Sequence, residues 1–250
     1  MSGFFDRAWR LTGTAASFIL FGLGGLVLGL VVFPLLSLVV WNRQRRSRIA
    51  RRILQAGFRF YIGFMNALVL SYTVTGRQNI PASGGYMIVA NHPSLIDVIF
   101  LLALFDRADC VVKQEIRINP FTLFTVRATD YVPNADAEYV LNECVARVET
   151  GDKLILFPEG TRTVPGKPVS FKRGAASIAI RAGAPILPVR IRVEPTTLTK
   201  GRPWYDIPAS RPHFALEILP PIDSASYLES HGSERRASFD LNQDLQRLLA

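Results

Sequence analysis

Two hydrophobic regimes divide the chain. Over residues 11–42 no charged residue occurs, and apolar positions run on without the polar gaps of an amphipathic surface helix. A helix crossing a bilayer needs roughly 20 apolar residues, so this stretch is long enough to span once at a tilt. Gly22, Gly24, Gly25, Gly29 and Pro34 loosen it, and a bend or a half-inserted helix is the alternative. A second apolar stretch covers 60–72, and ahead of it Arg52 and Arg59, seven apart, share one helical face. That arrangement reads as an interfacial start. A single span and a hairpin dipping into one leaflet both fit. Two separate spans would put the basic block between them and the rest of the chain on opposite sides, against the positive-inside bias.

From residue 71 the pattern changes to short buried runs broken by turn residues. Apolar runs predict strands over 73–76, 86–90, 108–112, 153–156, 186–193 and 214–219. Helical spacing predicts a helix opening at Pro93, and others over 120–128, 136–149, 174–182 and 239–249. Strands alternating with helices imply a largely parallel or mixed sheet flanked by helices, with its site at the carboxyl ends of the strands. The division expected is 1–70 as membrane-anchoring helices with a basic block, and 71–250 as an α/β domain.

Composition sharpens this picture. A chain of 250 residues holds one sizeable α/β domain and an appendage. Its 49% hydrophobic content is concentrated near the N-terminus, and 29 Lys and Arg against 20 acids give a formal charge of +9. That balance favours an anionic partner: a membrane surface, a phosphorylated substrate or nucleic acid. Arg43, Arg45, Arg46, Arg48, Arg51 and Arg52 crowd the end of the apolar stretch. In that position they read as an anchor to anionic headgroups, which sets nucleic acid aside. Two cysteines, Cys110 and Cys144, make neither a disulfide framework nor a zinc set, and fit a reducing compartment. No metal site is expected, since His213 and His231 lie far off in the C-terminal part.

The candidate chemistry begins at Asn91-His92-Pro93-Ser94-Leu95-Ile96-Asp97. Pro93 suits a first helical position, and Asp97, about one turn in, is within reach of the His92 ring. A carboxylate holding one imidazole nitrogen fixes the tautomer and leaves the other free as a base. Ser94 is the only serine nearby and no cysteine is, so the base acts directly on a substrate hydroxyl. Alone, such a pair more often describes a helix cap bonded to an acid than a base. A second block, Phe157-Pro158-Glu159-Gly160-Thr161-Arg162, follows another buried run.

Together, in this order, the two blocks resemble the signature of the lysophosphatidic-acid and glycerol-phosphate acyltransferase family. The resemblance covers about Val74 to Val193, and the N-terminal part is consistent with it. It implies a membrane-attached enzyme moving a fatty acyl group from a thioester, acyl-CoA or acyl carrier protein, to a lysolipid hydroxyl, and it implies no cofactor. Lysophosphatidic acid is the acceptor it implies, and the cytoplasmic face of an inner membrane the location. His92 with Asp97 would be the base. By resemblance Lys113, after the next strand, would help stabilise the oxyanion, alongside backbone N–H groups at the entrance of the His92 helix. Gly160 lets backbone approach a phosphate, and Arg162 offers a fork that matches its oxygens. Glu159 suits a substrate hydroxyl or a fixing bond to Arg162, and Thr161 completes the block. Lys172-Arg173-Gly174 opens a helix whose N-terminus favours anions, and a similar element follows the second block in the family, as does a late strand near a proline, here Leu187-Pro188-Val189.

One departure stands out. Many members carry an arginine after a Phe-Ile-Asp or Phe-Val-Asn run, but here Tyr131-Val132-Pro133-Asn134 is followed by Ala135. A non-phosphorylated or specialised acceptor is therefore the second reading, and a non-catalytic membrane-binding scaffold the third. Thr199-Lys200-Gly201-Arg202-Pro203-Trp204-Tyr205, basic with aromatics, reads as a surface loop or a branch-specific one.

Overall fold

A computed structural model describes residues 2–164 and 166–250. Residues 2–39 form a bent helix: α1 (Ser2–Val27), a π-helical turn (Leu28–Val32) and α2 (Phe33–Val39). Pro34 has no N–H to return to the preceding turn, so the ladder widens just before it. Among the described residues, Phe5–Val39 is the one stretch long and apolar enough to cross a membrane, by length and composition alone. Asn42 then caps α3 (Arg43–Leu68) by accepting the Arg45 N–H at 2.9 Å. Phe21 stacks on Phe58, with centroids 6.5 Å apart, and meets the edge of Tyr61 at 5.7 Å. Gly13 abuts Leu68 and Val69. Early residues of α1 meet late residues of α3, so the two form an antiparallel hairpin.

The rest follows as β1 (Ser71–Thr75), β2 (Tyr86–Ala90), α4 (Asp97–Leu104), β3 (Asp109–Val112), α5 (Gln114–Ile118), α6 (Leu123–Thr129), β4 (Val132–Pro133), α7 (Ala137–Glu149), β5 (Lys153–Leu156), α8 (Gly174–Ala182), β6 (Ile186–Glu194), β7 (His213–Ile218), α9 (Ser224–His231) and α10 (Glu234–Leu249). The strands form one sheet ordered β1-β7-β6-β2-β5-β3-β4, with only β6 and β7 antiparallel. The expected fold class, a mixed sheet flanked by helices with an N-terminal helical segment, is the one observed. Three short elements, β4, α5 and α9, were not predicted from the pattern. The helix expected at Pro93 begins instead at Asp97, because residues 91–96 are held in a loop by bonds described below.

All five residues of β2 are buried, as expected of a strand covered on both faces. On one face Leu54, Tyr61, Ile62 and Met65 of α3 share a core with Ile88, Leu101 and Phe105. On the other, Met87 and Val89 pack with Ala176 and Ile180 of α8 and Leu241 and Leu245 of α10. The hairpin and the sheet therefore share one core. Arg10, itself buried, clasps the chain from the other end of the hairpin, donating to the carbonyls of Pro208, Ala209 and Ser210 at 2.8–2.9 Å.

The arginine block divides in a way its sequence did not announce. Arg51 is buried, and donates to Asp109 at 2.7 Å, to the Thr129 carbonyl at 2.9 Å and to Asp152 at 3.2 Å. It ties α3 to the edge of the sheet rather than to headgroups. Arg45, Arg48 and Arg52 remain exposed. Asp109 is also bonded by Arg147, and by the Cys110 N–H at 2.8 Å. Burial pushes its carboxyl up to about 6, against the pull of both guanidiniums.

Candidate active site

Parallel pairing of β2, β5 and β3 puts their carboxyl ends on one rim. The chain leaves β2 at Asn91, whose side-chain amide makes a two-way bridge to Ile191 of β6: it donates to the carbonyl at 2.8 Å and accepts the N–H at 2.7 Å. His92 comes next and is gripped by its backbone. Its N–H donates to Glu159 at 2.7 Å, and its carbonyl accepts the Thr163 N–H at 2.7 Å. Thr163 in turn donates its hydroxyl to the Glu159 carboxylate at 2.8–2.9 Å. The His92 ring stacks on Phe157, with centroids 4.2 Å apart and planes 21° apart. The block after β5 is thus a clamp around the histidine.

Asp97 lies at the first position of α4 and is completely buried, while His92 keeps 17% of its side chain exposed. The imidazole Nδ1 and the carboxylate Oδ2 are 2.9 Å apart, and the Ser94 N–H donates to the same oxygen at 2.6 Å. An ionised carboxylate only accepts, so Nδ1 carries the proton and Nε2 keeps its lone pair. Burial pushes Asp97 up to about 6, and its bonds to His92 and Ser94 oppose that rise. The pair is a base open to solvent at one edge, steered by a buried acid.

Other expected residues fall into place less uniformly. Glu159 does not pair with Arg162; its carboxylate is taken by His92 and Thr163. Arg162 instead donates through Nη1 to the carbonyls of Leu198 at 2.9 Å and Thr199 at 3.2 Å. Gly160 adopts a left-handed turn with φ +66°, and a side chain there would meet the Lys172 ammonium at 3.2 Å. Lys172 is held beside this turn by its N–H, which donates to the Pro158 carbonyl at 2.8 Å. Thr161 is half-buried in the same loop, and Arg173 is exposed at the N-cap of α8. Lys113 is exposed at the end of β3, two strands from His92 on the same rim, and its ammonium has no bonded partner among the described residues.

The structure narrows one expectation. The backbone N–H groups nearest His92 are not free for an oxyanion. Those of His92, Ser94 and Leu95 go to Glu159, Asp97 and the Leu198 carbonyl, and Pro93 has none. Thr163 and Leu198 were missed by sequence reasoning. Thr163, four residues after Glu159 and just past the block, carried a faint signal, and Leu198 acts only through its carbonyl. Among the described residues, no cluster of His, Cys, Asp or Glu could hold a metal ion.

Residues 71–192 match the family model described as acyltransferase. The chain is 30% identical over 124 residues to the chloroplastic 1-acyl-sn-glycerol-3-phosphate acyltransferase BAT2 of Brassica napus, covering 47% of this chain and 36% of that protein. It is 28% identical over 146 residues to the 1-acyl-sn-glycerol-3-phosphate acyltransferase of Pseudomonas aeruginosa, covering 56% of each. The chain therefore spans about a third to a half of the curated relatives it matches. In fold it resembles the crystal structure of the 1-acyl-sn-glycerophosphate acyltransferase PlsC from Thermotoga maritima. The TM-score is 0.73 at 23% identity, over 97% of this chain and 95% of that one.

Proposed function

Since the chain belongs to the acyltransferase family through its residues 71–192, we propose that it moves a fatty acyl group from a thioester to the hydroxyl of a lysolipid, with lysophosphatidic acid as acceptor. The observation that carries this reading is the His92–Asp97 pair at 2.9 Å, clamped by the Phe157–Thr163 segment with one ring edge open. Nε2 of His92 takes the acceptor's proton as its oxygen attacks the thioester carbonyl. A C–O bond forms and the carbonyl becomes an oxyanion. Collapse breaks the C–S bond, and the proton on His92 passes to the departing sulfur. With the N–H groups of His92, Ser94 and Leu95 engaged, a cation on the rim helps stabilise the oxyanion, and Lys113 is the candidate. Arg162, with Nη2 and Nε left over, and Lys172 beside Gly160 receive the acceptor phosphate.

Membrane attachment is part of the same proposal. Phe5, Trp9, Ile19, Leu23, Val27 and Leu30 expose an apolar face along the bent helix, and Leu38, Val39 and Trp41 are more than 70% exposed at its tip. The opposite face rests on α3 and α6. A helix held along its length by a folded domain lies in one leaflet rather than crossing two. The exposed arginines of α3 then meet anionic headgroups, on the cytoplasmic side of an inner membrane.

Ala135 supports the second reading, in which the acceptor has no phosphate. A panel of acceptors, phosphorylated and neutral, offered with labelled acyl-CoA and acyl carrier protein decides between them. Preference for lysophosphatidic acid is expected, with loss of transfer in His92→Ala. Transfer by His92→Ala would remove the base, and no transfer from either donor would return the chain to a scaffold.

A further inference from the structure

Two arginines on the elements that follow Lys113 border an open space and have no bonded partner among the described residues. Arg117 and Arg127, with Gln114, Ile118 and Leu123, line a space of about 360 Å³ between α5 and α6. Neither guanidinium makes a hydrogen bond or ion pair among the described residues. The acid nearest in sequence to Arg127 is Asp130, and it is already engaged by Arg43 at 2.9 Å and by Arg147. Glu115, the acid of α5, is exposed. Arg127 also borders a second space of about 210 Å³, which reaches Phe33, Leu36 and Phe124, and Arg46. Arg117 is half-buried and Arg127 exposed, and with no acid bonded to either, an anion entering the space they both line would meet two guanidiniums.

The surroundings specify what kind of anion. Ile116 and Ile118 of α5, Phe121 of the connecting turn and Phe124 of α6 are all exposed. Beside them lies the bent helix, because Phe121 and Phe124 seat on Gly25 and Gly29. A side chain at Gly25 would come within 2.3 Å of the Phe121 carbonyl. A water-borne anion would leave this apolar flank wet, whereas an amphiphile covers it. Guanidinium forks match phosphate oxygens in pairs. We propose that the α5–α6 cavity binds the phosphate of an anionic glycerolipid, held between Arg117 and Arg127, with its acyl chain running toward Phe124 and Phe33. The inference rests on the membrane-facing placement proposed above but not on acyl transfer, because binding is read without turnover.

The test is titration of the full-length protein in neutral detergent with three lipids of one chain length: lysophosphatidic acid, phosphatidylglycerol and phosphate-free monoacylglycerol. Wild type should bind a phosphate lipid about tenfold or more tightly than Arg117→Gln/Arg127→Gln, as expected for lost charge-assisted bonds. Arg235→Gln/Arg236→Gln, which removes the same charge from exposed positions on α10, should bind as wild type does. Preference for lysophosphatidic acid would identify a single-chain phosphate lipid as the occupant; equal binding of phosphatidylglycerol would identify a resident bilayer lipid. Should the glutamine variant fold poorly, Arg117→Lys/Arg127→Lys keeps the charge and loses the fork, and intermediate affinity is expected. Equal affinity of wild type and both cavity variants, equal loss in the α10 variant, or equal binding of monoacylglycerol would overturn the proposal.

Discussion

Asp97 and Asp109 are both buried aspartates, and burial pushes both carboxyls up to about 6. They are held in opposite ways. Asp109 is saturated by Arg51, Arg147 and the Cys110 N–H, and guanidiniums do not surrender protons near neutral pH. Asp97 meets one imidazole and one N–H, and its Oδ1 has no hydrogen-bond partner among the described residues. The first arrangement locks a helix to a sheet edge. The second leaves a carboxylate facing a ring that can take and give a proton. Burial alone does not separate a working acid from a structural one; the protonic character of the partner does.

The largest effect should come from breaking the site half of this contrast. Asp97→Asn should lower turnover about a thousandfold while leaving thermal stability equal or higher, since a buried charge disappears; an acyl-transfer assay beside a melting curve reads both. Asp109→Ala should do the reverse. It strands two buried or half-buried arginines and should cost about 3–5 kcal/mol of stability, measured by denaturant titration, with turnover per folded molecule near wild type. If Asp109→Ala lost turnover without losing stability, the division of labour would be wrong.

A smaller effect is expected at the clamp. Glu159→Gln weakens its hold on the His92 N–H and on Thr163, and should lower kcat about tenfold with acceptor KM unchanged. A rise in KM alone would make Glu159 a substrate contact instead. The smallest effect concerns pH. A carboxyl raised above its unfolded value binds extra protons in the folded state between about pH 4 and 6. Its favourable contribution is complete below that window and is lost as pH rises through about 6. The stability of Asp97→Asn relative to wild type should therefore grow by about 1–3 kcal/mol from pH 4 to pH 7. A flat difference would show that Asp97 titrates normally.

Much of this was legible in the chain. The continuous run at 86–90 announced a strand buried on both faces, and α8 was predicted at the bounds observed, where Gly183 ends it in a left-handed turn. The histidine, its acid and the second block were read as one site through their resemblance to a family signature, and both blocks follow predicted strands that end on one rim. The fate of the backbone donors was not legible, since no side chain records that the His92, Ser94 and Leu95 N–H groups are engaged. Arg51 was misread as a surface charge within a run of six arginines. Its phase held a signal: Ser47, Ala50, Arg51, Leu54 and Gln55 recur at helical spacing, and all are buried. The elements β4 and α5, of two and five residues, are too short for periodicity to build up.

The hairpin's place in the common core has a practical corollary. With Leu54, Ile62 and Met65 interlocked with the sheet and Arg10 fastened to residues 208–210, these helices are no detachable tether. Trimming them away to obtain a water-soluble catalyst would lay bare the apolar side chains of α4 that they cover, and the remnant would aggregate before it could be assayed.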